Sequence, residues 1–343
     1  MGQAESLPSR IRNEQELDEL LSRPWPALVE LMGRLSGDIM VLGAGGKMGP
    51  SLARMAQRAM GAAGGRQQVI AVGRGPLPEL AAAGVSTLRC DLLDLEAVER
   101  LPQAENVIFM AGRKFGTQGS ETATWASNVL VPYHVARTFQ RSRIVAFSTG
   151  CVYPLVRESA PATEETPPEP VGEYAQSCLG RERIFQYLSE RAGERVSIIR
   201  LNYAIGLRYG VLQDLAARIW SGRPVDVTTG HVNVIWQGDA CNMALLSLRL
   251  ASSPPRVLNV TGPETISVRE TAQALGQLLG KQVEFVGEES GYSYLSDASQ
   301  AIAVLGSPRV SLQQMLAWSA EWVMRGGTSL GKPTHFEVQD GKY

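Results

Sequence analysis

A short apolar run that breaks into glycines constrains this chain more than any other stretch. Residues 38–49 read Asp-Ile-Met-Val-Leu-Gly-Ala-Gly-Gly-Lys-Met-Gly, and residues 50–60 continue in a helix-like pattern. This order predicts a buried strand, a tight turn and a helix, whose N-terminal amides and positive dipole end suit a diphosphate. Gly43, Gly46 and Gly49 stand three apart, which allows a sharp turn, close approach to a pyrophosphate and close helix packing. The stretch therefore predicts a dinucleotide site.

The overall composition excludes several classes of partner. The 343 residues include 33 Lys and Arg against 34 Asp and Glu, a net charge of −1 with no long basic run, so no nucleic acid is expected. No run approaches the roughly 20 apolar residues of a membrane span, and the start lacks a signal-peptide pattern, so we expect no membrane association and a cytoplasmic location. The chain has four cysteines, Cys90, Cys151, Cys178 and Cys241. They lack the spacing of metal ligands, so no metal is expected, and a chain of this size needs no disulfides.

Apolar runs alternate with helical stretches from Asp38 onward. Further strands are predicted at residues 68–72, 85–90, 106–110, 143–147 and 196–200. Strands separated by helices predict an α/β fold, a Rossmann-type doubly wound parallel sheet, here with a smaller C-terminal substrate lobe. We assign an N-terminal helical extension to 1–37, an NAD(P)-binding Rossmann domain to 38–202, a mixed substrate lobe with elements returning to the Rossmann domain to 203–325, and a tail, surface-wrapping or partly flexible, to 326–343.

The end of the second strand indicates which nicotinamide cofactor fits. A carboxylate there would bind the ribose hydroxyls of NAD, whereas an Arg accommodates the 2′-phosphate of NADP. The sequence has Gly73-Arg74 and no acid, which favours NADP over NAD. Arg66 is a second candidate for the phosphate, and a surface Arg without a ligand is the simpler alternative for either residue.

Several further motifs follow the predicted strands. They are Cys90-Asp91-Leu92, Ala111-Gly112, Asn128, the segment Ser148-Thr-Gly-Cys-Val-Tyr-Pro154, Tyr174 and Arg200-Leu-Asn202. Together with the glycine turn, they give a chain that resembles the extended short-chain dehydrogenase/reductases, a family that includes NAD-dependent sugar epimerases and dehydratases. The resemblance runs from about Asp38 to at least Gly262, and it also implies a homodimer formed through two helices.

The resemblance implies roles for individual residues. Thr149 and Tyr174 would be the catalytic pair, since hydride transfer at a carbinol carbon needs a base for the hydroxyl proton and a Tyr beside a hydroxyl can supply it. Asp91 and Leu92 would contact the adenine. The complete set of cofactor-binding candidates is Gly43, Gly46, Lys47, Met48, Gly49, Arg74, Asp91, Leu92, Ala111, Gly112 and Asn128.

One departure from the family pattern concerns the catalytic Tyr. The family has Lys four residues after it, where the charge lowers the Tyr pKa, but here that residue is Cys178. A neutral thiol cannot supply the charge, so Tyr174 is expected to be a poorer base. Three outcomes follow: another cation replaces the Lys, with Lys114, Arg113 and Arg181 as candidates; the reaction needs little activation; or the protein is an NAD(P)-binding sensor or regulator without turnover.

A second departure concerns the substrate. Sugar-nucleotide enzymes of the family carry an Arg before an aromatic-rich strand, whereas residues 230–239 read Gly-His-Val-Asn-Val-Ile-Trp-Gln-Gly-Asp. A nucleotide sugar is therefore not expected, and a smaller sugar, sugar acid or polyol-like ketone fits better. The candidate substrate contacts are Lys114, Cys151, Asn202, His231, Asn233 and Trp236.

Overall fold

A seven-stranded parallel sheet forms the centre of the molecule. The computed structural model describes residues 7–114 and 116–342, so residues 1–6 and 343 of the predicted terminal segments lie outside it. The strands are β1 (Ile39–Leu42), β2 (Val69–Gly73), β3 (Ser86–Arg89), β4 (Asn106–Phe109), β5 (Arg143–Thr149), β6 (Arg195–Leu201), β7 (Ala204–Ile205), β8 (Val225–Asp226), β9 (His231–Asn233), β10 (Ile235–Trp236), β11 (Arg256–Val260), β12 (Thr265–Ser267) and β13 (Phe285–Val286). The predicted Rossmann-type α/β fold is confirmed.

Helices cover both faces of this sheet. They are α1 (Glu14–Leu21), α2 (Pro26–Arg34), α3 (Gly49–Ala62), α4 (Pro78–Ala82), α5 (Leu95–Glu99), α6 (Glu121–Trp125), α7 (Val131–Thr138), α8 (Gly172–Ala192), α9 (Val211–Trp220), α10 (Gln237–Leu246), α11 (Val268–Leu279), α12 (Ser299–Leu305) and α13 (Leu312–Met324). One apolar core lies between the sheet and α2, α3 and α10, and a second lies between the sheet and α7 and α8. Because both faces are covered, the central strands β1, β2 and β4 are buried along their full length.

The strand order reverses between β1 and β4. The chain runs outward from β1 to β2 and β3 on one side, then returns to β4 and continues through β5 and β6 on the other. In sheets of this kind the carboxyl ends of the two central strands leave a crevice in which ligands bind. The glycine turn after β1 and the loop after β4 meet at this crevice.

The N-terminal helices α1 and α2 connect the two lobes. The side chains of Asp18 and Glu19 on α1 pair with Arg54 and Arg58 of α3 at 3.2 and 2.8 Å, while Glu14 pairs with Arg208 of the smaller lobe at 2.8 Å. The extension therefore links helix α3 to the smaller lobe.

The smaller lobe has its own apolar core, formed mainly by α9, α11 and α13. Parts of the same segment return to the large sheet, since β11 pairs with β6 and α10 packs against α3. In this segment β8 is only two residues long, and α10 ends at Leu246 before a 3₁₀ turn over Ser247–Leu250.

The C-terminal tail crosses both lobes. The backbone amide and hydroxyl of Thr334 donate to Asp214 Oδ2 at 2.7 and 2.6 Å, and Phe336 is buried in the core of the smaller lobe. Farther along, Gly341 lies against the backbone of Gly172, where α8 begins. Of the two alternatives for the tail, the structure shows the wrapping one. No helix among the described residues is long and apolar enough to cross a membrane.

Candidate active site

The glycine turn has the geometry of a diphosphate cradle. Gly43 has φ +91°, and a Cβ there would lie 2.7 Å from the backbone nitrogen of Ala111, so only glycine lets the two loops approach. A Cβ at Gly49 would collide with the carbonyl of Ala44, which explains the close seating of α3. Gly46 is exposed, and α3 begins after Met48 without a side-chain cap. In this first turn the Gly49 amide donates to the carbonyl oxygen of Gly46 at 3.3 Å and Pro50 has no amide hydrogen, so α3 offers a diphosphate mainly the positive end of its dipole. Together with the close approach of the two loops, this fits a dinucleotide cofactor.

Lys47 points away from this cradle. Its Nζ donates to the carbonyl oxygen of Ala204 at 2.6 Å and lies 4.2 Å from the ring centroid of Tyr209. Burial and the nearby charge of Lys114 lower the pKa of Lys47 to about 7. The Cys241 thiol and the Asp214 carboxylate act in the opposite direction and raise it. The structure therefore places Lys47 toward the smaller lobe, in contrast to the cofactor contact expected for it.

The tips of β2 and β3 carry the residues expected at the adenosine end of a cofactor. Arg74 is exposed just after β2, and Arg89 Nε lies 3.4 Å from its carbonyl oxygen. Asp91 is exposed after β3 and its side chain accepts from the amide of Leu93 at 3.1 Å, while Leu92 is buried. Arg66 precedes β2 and lies at the amino end of the strand, the opposite end from the crevice. The structure thus separates Arg66 from the cofactor site.

Asn128 ties the loop after β4 to helix α8. It lies in a π-helical turn over Ala126–Leu130, a distortion often found at functional sites. Its Oδ1 accepts from the Arg113 amide and from Arg181, both at 2.8 Å, and its Nδ2 donates to the hydroxyl of Ser177 at 2.9 Å. The guanidinium of Arg181 also lies where a Cβ on Gly112 would be, so this glycine lets the cation reach the loop. Ala111 and Gly112 line the crevice as expected.

Thr149 and Tyr174 are brought together at the same edge of the sheet. Thr149 ends β5, its Oγ1 accepts from the Cys151 amide at 3.2 Å, and its side chain hydrogen-bonds to Tyr174 in the first turn of α8. Burial holds the pKa of Tyr174 well above its usual value, as do the neighbouring thiols of Cys178 and Cys151. Arg181 and the bond to Thr149 act in the opposite direction.

Cys178 is fully buried beneath this Tyr. Its side chain shares a hydrogen bond with Tyr174, and burial raises the pKa of its thiol to about 11, although Arg181 and that hydrogen bond oppose the shift. The thiol is therefore neutral at ordinary pH. Cys151 is also buried beside Tyr174, so the two cysteines line the same site.

Of the three cations proposed to replace the family Lys, Arg181 is the one whose charge lowers the pKa of Tyr174. It is 6% exposed and donates to the carbonyl oxygen of Phe147 at 2.8 Å. Lys114 lies 3.4 Å from the carbonyl oxygen of Thr334 in the tail, and burial lowers its pKa. Arg113 donates to the carbonyl oxygen of Gly116 at 3.0 Å.

The predicted substrate contacts occupy different places. Asn202 is buried and donates to the carbonyl oxygen of Tyr294 at 2.9 Å, and His231 lies 3.3 Å from Glu158 at a half-buried position. Asn233 is used within the protein, donating to the carbonyl oxygen of Glu264 at 3.1 Å. Trp236 packs edge-on against Trp318 in the core of the smaller lobe. We therefore do not retain Asn233 and Trp236 as substrate contacts, because their side chains face protein.

Two features of the site are missing from the sequence-based analysis. Tyr294, from the loop before α12, packs in one cluster with Tyr174, and Ser296 of the same loop lies beside Gly150, the residue after Thr149. Glu182, two turns along α8 from Tyr174, forms a buried ion pair with Arg200 at 2.7 Å. Glu182 carries no clear sequence signal, because Arg181 and Arg183 flank it as in an ordinary solvated helix face, and the loop residues carry no local signal either. No group of three or more His, Cys, Asp or Glu in the described ranges could hold a metal ion.

Fold and site together define a nucleotide-binding α/β protein with a Tyr and Thr pair at the crevice of the sheet. A family model for the NAD dependent epimerase/dehydratase family matches residues 39–261, so the chain belongs to that family, a class of NAD-dependent enzymes. The expected resemblance is confirmed.

Comparison with individual proteins agrees with this assignment. The uncharacterized protein y4nG of Sinorhizobium fredii (strain NBRC 101917 / NGR234) is 23% identical over 342 residues, which cover 89% of this chain and 83% of y4nG. A structure of MoeE5 in complex with UDP-glucose and NAD is 23% identical with a TM-score of 0.69, covering 84% of this chain and 99% of MoeE5. The dTDP-glucose 4,6-dehydratase (rfbB) of Bacillus anthracis str. Ames, in complex with NAD, is 16% identical with a TM-score of 0.71, covering 85% of this chain and 97% of the other. At these identities the solved structures establish the fold.

Proposed function

We propose that the chain is an NAD(P)-dependent oxidoreductase or epimerase/dehydratase that acts on a hydroxyl or keto carbon of a small sugar-like substrate. The hydrogen-bonded pair of Thr149 and Tyr174 carries the proposal. Because β5 stands two places from β1 in the sheet, this pair lies about 10 Å across the carboxyl edge from the glycine turn. That separation puts the pair within the span of a dinucleotide seated on the turn.

The reaction follows from the chemistry of these side chains. A bound nicotinamide cofactor would supply the hydride chemistry at the substrate carbon. The phenol oxygen of Tyr174 takes or returns the proton of the substrate oxygen, and the Thr149 hydroxyl orients it. Since the pKa of Tyr174 is raised, the protonated form prevails near neutral pH, and proton removal by this residue becomes more effective as the pH rises. The charge of Arg181 favours the ionised Tyr174.

We further propose NADP as the preferred cofactor. Arg74 and Arg89 both stand at the tips of neighbouring strands, and no carboxylate follows β2 directly. Two guanidinium groups there suit a 2′-phosphate. The structurally similar proteins are described with NAD, so direct comparison of the two cofactors is the appropriate test.

The substrate we propose is a sugar, sugar acid or related ketone without a nucleotide. Residues 230–239 contain no Arg, and within this stretch Asn233 and Trp236 face the protein interior. Among the similar structures, MoeE5 is in complex with UDP-glucose, and the Bacillus anthracis protein is a dTDP-glucose 4,6-dehydratase. Both support a sugar-like substrate, and both also favour a substrate that carries a nucleotide. UDP-glucose must therefore be tested beside free sugars.

We also propose that the protein is a homodimer located in the cytoplasm. Helices α6, α7 and α8 pack on one another and expose large apolar side chains, namely Trp125, Tyr133 and Tyr187. Such side chains in adjoining helices suit contact with a second copy. The four cysteines are free thiols, which fits a reducing compartment.

To test the proposal, the protein is incubated with NAD or NADP together with one candidate substrate at a time. The candidates are D-glucose, D-glucuronate and UDP-glucose. Formation of reduced cofactor is followed by absorbance, and sugar conversion without net cofactor change by NMR. We expect conversion of at least one free sugar. Conversion of UDP-glucose alone would contradict the substrate proposal, and failure of all combinations would favour the alternative of an NAD(P)-binding regulatory protein, which rests on Cys178.

A further inference from the structure

The loop between β13 and α12 forms one wall of the active site. Its residue Ser293 exchanges two backbone hydrogen bonds with Val156, both 2.9 Å long. Two further backbone bonds join Ala162 to this loop: its amide donates to the carbonyl oxygen of Leu295 at 3.0 Å, and its carbonyl oxygen accepts from the Asp297 amide at 2.8 Å. The loop is therefore fixed to the 154–170 segment, and its side chains have defined positions.

Two asparagines set the direction of Tyr294 and Ser296 within this loop. Asn202 Nδ2 donates to the carbonyl oxygen of Tyr294 at 2.9 Å, and Asn233 Oδ1 accepts from the amide of Ser296 at 2.8 Å. Both asparagines are buried, so these bonds are shielded from water. Their amide groups thus act on the loop backbone and leave the two hydroxyl side chains for another purpose.

Both hydroxyl side chains stand beside the catalytic pair. The ring of Tyr294 packs with Cys151 and Ala175, in the cluster that also contacts Tyr174. Ser296 Oγ lies 3.2 Å from the position that a Cβ on Gly150 would take, directly after Thr149. The absence of a side chain at Gly150 is therefore what lets the Ser296 hydroxyl reach the end of β5.

The two hydroxyl groups are buried without a hydrogen-bond partner. Tyr294 is 4% exposed and Ser296 is 3% exposed. Within residues 7–114 and 116–342, neither the Tyr294 hydroxyl nor Ser296 Oγ has a partner. Buried polar groups in native proteins are nearly always paired, and two unpaired hydroxyl groups in one loop beside Tyr174 and Gly150 indicate that a ligand satisfies them.

We propose that Tyr294 and Ser296 bind a substrate hydroxyl adjacent to the reacting carbon, and so select a polyhydroxylated ligand. This inference rests on the proposed function, in which the substrate is sugar-like. A hydroxyl both donates and accepts, so Tyr294 and Ser296 can each pair with a sugar hydroxyl in either sense. A ligand lacking that hydroxyl would leave both groups unpaired, which is the basis of strong discrimination.

The first experiment needs no ligand. In Tyr294→Phe and Ser296→Ala the removed hydroxyl has no partner, so the Tm of the free protein is expected to stay the same or rise. The matched control Tyr153→Phe removes a hydroxyl bonded to Asn259 and Arg200 at 2.8 Å each, and its Tm should fall by at least about 2 °C. A fall of the Tyr294→Phe or Ser296→Ala Tm as large as that of the control would overturn the inference, since it would show a structural bond.

The second experiment measures sugar binding to the cofactor-loaded protein by calorimetry, with D-glucose, D-glucuronate and UDP-glucose as probes. We expect each variant to weaken binding of the responding sugar at least 10-fold, while cofactor affinity stays unchanged. If both variants bind the sugar as tightly as the wild-type protein does, this inference is overturned and the proposed function stands. Wild-type protein that binds none of the three sugars would count against both.

Discussion

Burial is the main reason why the phenol of Tyr174 ionises with difficulty, since it raises the pKa of this group. The residue one helical turn later is Cys178, a buried neutral thiol that supplies no positive charge to offset this rise. Arg181 supplies a cation from the next turn of α8, held by the carbonyl oxygen of Phe147 and by Asn128. Its charge offsets part of the effect of burial, so the lost Lys is partly replaced from a different position.

Replacing Arg181 tests this compensation. In Arg181→Gln the ionised Tyr174 loses its neighbouring cation, so the pKa of Tyr174 rises. Turnover at pH 8 should fall about 10-fold, and the pH at which activity rises should be higher by about one unit. Arg181→Lys should retain part of the activity. The control Arg183→Gln alters an exposed residue on the same helix, whose guanidinium donates to Gln186 Oε1 at 2.7 Å. Identical pH profiles for Arg181→Gln and wild type would show that Arg181 does not act on Tyr174.

A second residue-scale prediction concerns cofactor choice. Arg74→Ala should weaken NADP binding about 10-fold, since one charge-assisted hydrogen bond to the 2′-phosphate is lost, and it should leave NAD binding unchanged. Arg66→Ala is the matched control, because Arg66 lies at the amino end of β2, away from the crevice. Fluorescence titrations with both cofactors measure the effect. Equal loss of NAD and NADP affinity would contradict a role in reading the phosphate.

At the scale of elements, a buried network holds helix α8, which carries Tyr174, against the sheet. Glu182 is fully buried, pairs with Arg200 of β6 and accepts from the Ser148 hydroxyl at 2.5 Å. Arg200 also donates to the Tyr153 hydroxyl at 2.8 Å. The network fastens α8 to β5 and β6, so the register of Tyr174 against Thr149 depends on it.

Loss of Glu182 should therefore be costly. Glu182→Ala leaves the Arg200 charge buried and unpaired, and we expect the free energy of unfolding to fall by about 3–5 kcal/mol in urea titrations. Glu190→Ala, an exposed acid on the same helix, should change it by less than about 0.5 kcal/mol. If both substitutions have the same small effect, the ion pair does not hold the helix in place.

The elements differ in how far the sequence could predict them. Strands such as β1 and β4 are continuous apolar runs between turn residues. This pattern is sufficient to predict a strand here, because strands in a sheet covered on both faces are apolar along their whole length. The smaller lobe has strands of two or three residues, too short for any period to be visible. Trp236 shows why site residues are hard to predict: it is a predicted substrate contact but packs against Trp318 in the core. The sequence alone does not distinguish an aromatic residue in the core from one that contacts a ligand.

At the scale of the whole molecule, the site is assembled from segments far apart in the sequence. The glycine turn, the loop after β4, the start of α8 and the loop before α12 meet only because parallel strands end at one edge. The motifs at strand ends were therefore predictable. Tyr294 and Ser296 were not, since their placement depends on the long-range backbone bonds of the neighbouring Ser293 to Val156 and on the bond from the Ser296 amide to Asn233 Oδ1.

The proposed dimer gives a prediction for the whole molecule. Tyr133→Glu combined with Tyr187→Glu places charges on exposed positions of α7 and α8, which should convert a dimer into monomers. Leu278→Glu, an exposed position on α11, is the control. Light scattering after size exclusion gives the mass. A wild-type mass near 37.1 kDa would contradict the dimer, as would a double variant that remains dimeric.

The most direct test of the account is turnover by Tyr174→Phe, measured on the sugar that the wild-type protein converts. Tyr187→Phe serves as the control, since it removes a hydroxyl from the exposed face of the same helix. The account predicts that Tyr174→Phe loses at least about 100-fold in turnover, the usual contribution of a positioned acid or base, while cofactor affinity is kept. Turnover equal to that of Tyr187→Phe would contradict the assignment of Tyr174 as the group that moves the proton.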